Sequence, residues 1–390
     1  MRTNALTALG AWLACGCAGR ASPPPLDAGA QSGAVDLTGC LYQLAAPVTI
    51  DGQTFELVQD TGSSTLAVAT ASCASCADGG LAPPFSPGHA TTDLQQSASA
   101  YYNGDMSFGW TAELYQAPVA IGGVVASVRL AGIDQVSGGW GNVQCGEALQ
   151  VSGGLGLGTP DLLTQGTTCF VDDAVANGMP DVLALRLCQS TGNLWLGTFD
   201  PSAFAGPLQY TPMAEASGYD VTWTAALVGS GAAASQIAVP DASQLAFTDS
   251  DQLGLIVPDT MFAPITAAIE QSPAFQQDFG ASWFVPTYPA AFENCIISSK
   301  TPSELDAELP PLTLRLGTND PIDVVLDATR SYLWYTPHDS GFAYCQAIID
   351  GAARNWGDFA DLGDVLMIGH VFVIDRANQR VGIAPAPCTD

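Results

Sequence analysis

A mostly-β fold is what this sequence predicts, on three observations: short β-type runs recur along it, turn-forming residues separate them, and helical periodicity is rare. The runs include residues 55–58, 119–121, 194–196, 312–314 and 371–374, each apolar-rich and bounded by Gly, Pro, Asn or Asp. Turn residues are plentiful, with 41 glycines and 26 prolines, so many short strands can be linked tightly. Helical spacing is confined mainly to residues 259–271 and 170–177. No fixed-period repeat is visible, but a looser twofold echo is. Each half holds a strand, an Asp-containing turn and, later, a Gly-flanked apolar run.

The bulk properties fit a folded chain with an unusual charge. A length of 390 residues with 47% hydrophobic residues allows a sizeable core. The 38 acidic side chains face only 10 basic ones, Lys300 being the sole lysine, and the net charge is -28. That excludes nucleic acid as a partner, because phosphates need a basic surface. It suits an acidic medium, where many carboxylates are neutral, and equally a self-repelling extracellular protein.

The start of the chain reads as an export signal. Met1-Arg2 supplies a positive end and residues 5–14 an apolar run too short to span a bilayer. Trp12-Leu13-Ala14-Cys15 and Ala14-Cys15-Gly16-Cys17 both resemble a bacterial lipoprotein cleavage box, though neither has the usual leucine three places before the cysteine. Residues 1–17 are therefore expected to be a signal peptide, with a lipid at Cys15, at Cys17 or at neither. Residues 18–38, with Ser22-Pro23-Pro24-Pro25, read as a flexible tether. The expected location is periplasmic or at the cell surface.

Of the 11 cysteines, Cys15 and Cys17 fall in the leader and nine remain, an amount that suits disulfides in an oxidising compartment. Cys73 and Cys76 form a C-x-x-C pair, open to redox, metal or structural use. No second such pair exists, and His89, His338 and His370 are scattered without ligand spacing, which favours a structural disulfide. Nine is odd, so a thiol is left unpaired or pairs between chains.

The chemistry begins at Asp60. A strand over residues 55–59 ends in Asp60-Thr61-Gly62-Ser63-Ser64. A carboxylate there, beside a glycine that leaves backbone N–H groups accessible, can accept several hydrogen bonds in its charged form. The same tripeptide also makes ordinary β-turns.

Other segments decide between these. Residues 48–68 carry D-T-G-S-S-x-L-x-V. Tyr102-Asn103-Gly104 opens a loop that closes at Gly109, and residues 153–158 alternate glycine and leucine without phosphate-loop spacing. Residues 192–197 and 206–212 follow. The tail holds Leu362-Gly363-Asp364-Val365-Leu366, then Ile374-Asp375-Arg376-Ala377-Asn378. Together and in this order they resemble the pepsin-like aspartic peptidases. The resemblance implies a bilobal fold with an interlobe cleft, the lobes here spanning residues 39–205 and 206–390. It also implies one catalytic Asp per lobe, a flap carrying Tyr102, Asn103 and Gly104, peptide or protein substrates, a monomer, and no metal or cofactor. Two carboxylates too close to ionise together share a proton, activate water and protonate the scissile carbonyl.

Asp249 is the partner this resemblance selects. Ala246-Phe247-Thr248-Asp249-Ser250 fits the second motif, and Pro258, nine residues beyond, opens the helix expected there. Asp259 is the rival, but capping and the helix dipole already explain an Asp at a helix start. Thr61, Gly62, Ser63, Ser250, Asp251 and Gln252 are the expected supports of the pair. Asp251 stands where the family has glycine and Gln252 where it has Ser or Thr, so a third charge arrives and a hydroxyl donor leaves. Ala67 replaces a tryptophan that normally supports the flap tyrosine, and no basic prosegment is visible. These departures keep a second reading open: a pseudopeptidase that binds without cleaving. By position in the family Cys295 pairs with Cys345 and Cys73 with Cys76, while Cys40 with Cys388 is a guess from the meeting of the chain ends. Cys145, Cys169 and Cys188 receive no assignment.

Overall fold

The computed structural model describes residues 34–40, 43–78, 80–102, 108–138, 150–215, 218–241, 244–287, 290–354 and 359–388. The leader, Asn103, Gly104 and Cys145 lie outside them. The fold is mostly β, as the punctuated apolar runs require. Those runs sit in the strands Gln53–Asp60, Phe108–Ile121, Thr191–Leu196, Leu312–Leu316 and His370–Asp375. Helices Phe170–Ala176 and Asp259–Glu270 form where the helical spacing lies. Pro273–Phe279 and Pro302–Glu308 are further helices, each opened by a hydroxyl cap followed by proline. In the second, Thr301 and Glu304 close a capping box.

Strands from the two halves of the chain meet in one sheet. Val182–Leu187 pairs antiparallel with His370–Asp375, which pairs with Arg380–Pro385, and that strand pairs with Gln209–Pro212. On its other side Val182–Leu187 pairs with Thr191–Leu196, which pairs with Ala34–Cys40. The tether therefore ends earlier than its composition suggests: Ala34–Thr38 is strand, opposite Trp195 to Thr191. Val35 and Leu37 alternate inward there, and that burial outweighs the small polar residues around them.

The twofold echo is structural. In the first half Gln53–Asp60 pairs parallel with Gly153–Gly156, which pairs antiparallel with Leu66–Ala69, which pairs parallel with Val124–Ser137. In the second, Leu245–Phe247 pairs parallel with Ala360–Asp361, which pairs antiparallel with Leu255–Val257, which pairs parallel with Ile348–Asp350. A strand inserted between the two arms of a loop forces the arms apart, so the loop projects from the sheet. Asp60 and Asp249 are carried on these two loops. The glycine run is explained by crowding: a Cβ on Gly156 would lie 2.4 Å from the backbone of both Ser64 and Thr65.

Disulfides join Cys73 to Cys76, Cys295 to Cys345 and Cys188 to Cys388. Cys295 and Cys345 face each other in register across neighbouring strands. The guess of Cys40 with Cys388 is corrected, because Ala386 N–H donates to Gly369 O and Gly369 N–H to Leu187 O, which brings the chain end to Cys188. Cys40 is itself disulfide-bonded. Cys169 is a free, buried thiol that burial pushes up to about 11, so it has little thiolate character.

Candidate active site

Two buried hydroxyl residues lock the loops together. Thr61 N–H donates to Ser250 Oγ and Ser250 N–H to Thr61 Oγ1, both at 2.9 Å. Each hydroxyl then donates onward, Thr61 Oγ1 to Thr248 O at 2.9 Å and Ser250 Oγ to Gln59 O at 3.5 Å. Gln59 Nε2 adds a bond to Ser250 O at 3.1 Å. Each hydroxyl thus donates once and accepts once, which suits a site without water. Such an exchange fixes the neighbouring carboxylates relative to one another.

The carboxyl group of Asp249 faces that of Asp60 closely enough to help hold the Asp60 charge. Space between the loops is minimal: a Cβ on Gly62 would lie 2.4 to 2.8 Å from the carboxyl atoms of Asp249. The two acids are supported unequally. Asp60 accepts from Gly62 N–H at 2.6 Å, from Ser63 N–H at 3.1 Å and from Ser63 Oγ. Asp249 accepts from Asp251 N–H at 2.9 Å.

The departures at 251 and 252 therefore act differently from one another. Asp251 still places its backbone N–H on the carboxylate, as Gly62 does in the first loop, so that function does not need glycine. Gln252 does not replace the missing hydroxyl, because its amide is turned away to Leu253 O at 2.7 Å.

Electrostatics follow this geometry. Burial pushes Asp60 up, while Ser63, Gly62 and Asp249 pull it back through hydrogen bonds. Burial pushes Asp249 well above the usual carboxylate range, the charges of Asp60, Asp361 and Asp251 add to this, and the Asp251 N–H is the sole opposing group. Asp251 is raised by its crowded surroundings, then by Asp60 and Asp364, although its side chain reaches the surface. The richer donor set therefore favours the charge on Asp60 over the charge on Asp249.

Asp364 props the second loop. It is buried, accepts from Gly254 N–H at 3.1 Å through Oδ1 and donates its own N–H to Gln252 O at 3.0 Å. Burial raises its carboxyl well above the usual range. Asp220, beside the cleft, is pushed up to about 7 by burial and by Glu215.

A stability dependence follows with a definite sign. Carboxyls raised in the folded state stay protonated after the unfolded chain has ionised, so the folded state binds more protons and stability falls as pH rises. The window opens near the ordinary carboxylate range and extends through the Asp220 value of about 7. The melting temperature is expected to be highest in acid and to fall by about 5 °C or more on approach to neutrality. A melting temperature that rises over that interval contradicts this electrostatic account.

The other expected residues divide. Asp259 lies exposed in the first turn of Asp259–Glu270, a helix-start position. Tyr102 ends the hairpin strand Thr92–Tyr102, paired with Phe108, but its side chain, like Asn103 and Gly104, lies outside the described residues. Ala67 is buried in the same apolar cluster as Trp110, so indole volume enters this region from the returning hairpin strand. Asp220, Asp361 and the propping role of Asp364 were not assigned from sequence. Asp364 stood inside a quoted motif and Asp361 beside it, whereas nothing local marks Asp220.

A cavity of about 630 Å³ opens against Gly62 and Asp249. A sequence-family model described as eukaryotic aspartyl protease matches residues 43–386. A protein of Phaffia rhodozyma described as "Aspartic protease" is 26% identical over 358 residues, covering 87% of this chain and 75% of that protein.

Proposed function

The chain belongs to the eukaryotic aspartyl protease family, and from that premise we propose that it is an endopeptidase whose catalytic pair is Asp60 and Asp249. The observation that supports this most strongly is the contact of the two carboxyls under unequal donor sets. Asp60 carries the charge and acts as base; Asp249 carries the proton and acts as acid. A water between them loses a proton to Asp60 as its oxygen attacks the scissile carbonyl carbon. Asp249 gives its proton to the carbonyl oxygen, which yields a tetrahedral diol. The diol then collapses: Asp249 regains its proton from one hydroxyl, the C–N bond breaks, and Asp60 passes its proton to the departing nitrogen. Thr61 and Ser250 hold the two acids at working distance throughout.

Gln252 favours a second reading, a binding protein of the same fold, because Asp249 lacks the side-chain donor that Ser63 gives Asp60. Cleavage decides between them. The full chain should cut a denatured protein in acid, and a transition-state inhibitor of aspartic peptidases should stop it. Absence of inhibitor-sensitive cleavage from strongly acidic to neutral pH leaves the binding reading.

Asp251 tunes the pair. Its charge helps to raise Asp249, so Asp251→Gly should move the basic limb of the pH–rate profile to lower pH while retaining activity, since glycine keeps the backbone N–H. A basic limb that stays in place, or moves up, removes Asp251 from this role.

The proposed setting is an exported monomer at the periplasm or cell surface, with lobes over residues 39–205 and 206–390 and the flap of Tyr102, Asn103 and Gly104 over the cleft. Disulfides support an oxidising compartment. Among the described residues no helix is long and apolar enough to cross a membrane. Mass spectrometry of the mature N-terminus tests the leader: a processed terminus is expected, an acylated Cys15 or Cys17 there identifies the lipid anchor, and an unprocessed Met1 rules out the leader.

A further inference from the structure

The cavity beside the pair is not a plain apolar pocket. Leu162, Leu245, Phe247 and Phe359 give it apolar walls, and three carboxyl groups, those of Glu215, Asp220 and Asp361, line it as well. Among the described residues no lysine or arginine lines it. Asp361 is fully buried and accepts from Gly363 N–H at 2.8 Å. Glu215 is exposed at the rim.

Asp220 is the informative group. It stands at the foot of the strand Val221–Val228, where Ala214 N–H closes the loop onto its carbonyl at 2.8 Å. The residue is only 4% exposed, and its Oδ1 has no hydrogen-bond partner among the described residues. A buried carboxyl oxygen without a donor is destabilising. A pocket meant for an apolar side chain gains nothing from it.

We infer that this cavity seats a basic side chain, lysine or arginine, of a substrate residue next to the scissile bond, with Asp220 as its ionic partner. The methylenes of such a side chain lie along Phe247, Phe359 and the leucines; its head supplies the donors that Asp220 lacks, and its charge draws the Asp220 carboxyl into the ionised form. The volume lies within the range of side-chain-sized sites. Contact of the cavity with Gly62 and Asp249 places the bound residue beside the reacting bond. The other titratable groups lining the cavity are Glu215, Asp249 and Asp361; none is basic, so none repels a cation. The inference rests on the peptidase reading of the same cleft and adds its substrate class.

Two measurements separate the two. In the full-length Asp60→Asn variant, a peptide with one central lysine should bind about tenfold or more tightly than its norleucine counterpart. Adding Asp220→Asn should erase the difference, and adding Glu215→Gln at the rim should reduce it less. Equal or tighter binding of the norleucine peptide overturns the inference. For the wild type, products from a mixed peptide library, read by mass spectrometry, should show Lys and Arg enriched at one position flanking the cut. Cleavage without that enrichment overturns the inference and leaves the peptidase standing. Lysine-selective binding with no cleavage overturns the peptidase and leaves the pocket.

Discussion

Asp60→Asn is expected to lower kcat/KM on a peptide substrate by about 10³-fold or more, with KM close to that of the wild type. The amide keeps the size of the carboxylate but cannot take a proton from water. Its Oδ1 can keep the Gly62 and Ser63 N–H bonds, while Nδ2 meets Ser63 Oγ, which must turn from donor to acceptor. Asp249→Asn should be as damaging for the opposite reason, since no proton remains to give to the carbonyl oxygen. Both folds should survive, because the lock is made by Thr61 and Ser250 rather than by the acids. Steady-state kinetics with a melting curve for each variant checks this. Retention of a tenth of wild-type activity by either variant places the chemistry elsewhere.

Gly62→Val should be nearly as severe. Any Cβ at 62 collides with the Asp249 carboxyl at 2.4 to 2.8 Å, so that carboxyl or one of the loops must move. The same residue gives its N–H to Asp60, and a shift of about 1 Å between reacting groups costs about 10²-fold in rate. Gly62 is partly exposed, so the melting temperature should change little while kcat falls. Wild-type kcat in this variant means that the two carboxyls do not need their present contact.

Most of this frame can be read from the chain, for physical reasons that also explain where reading stops. Period-two burial and turn residues are local, so the strands around residues 55–58 and 371–374 show in sequence. Pro258 marks a helix start, which singles out Asp249 nine residues earlier. Ala34–Thr38 is harder, because two inward residues, Val35 and Leu37, are set among small and polar ones. Short capped helices such as Pro302–Glu308 escape a search for helical period, although their cap residues are in plain view.

The site is legible in a different way. Residue type points to Asp60, yet what Asp251 contributes is a backbone N–H, which no residue name discloses. Gln252 looks like a donor to Asp249 and spends its amide on Leu253 instead. Asp220, Asp361 and Glu215 come from separate segments, and only the fold shows that they line one cavity.

The proton-sharing pair is tested most directly by the pH dependence of kcat/KM for the wild type on one peptide. Two coupled carboxyls, one charged and one protonated, predict a bell-shaped profile confined to acid, with the basic limb set by loss of the Asp249 proton. A profile without an acidic limb, or activity that keeps rising through neutrality, contradicts the pair.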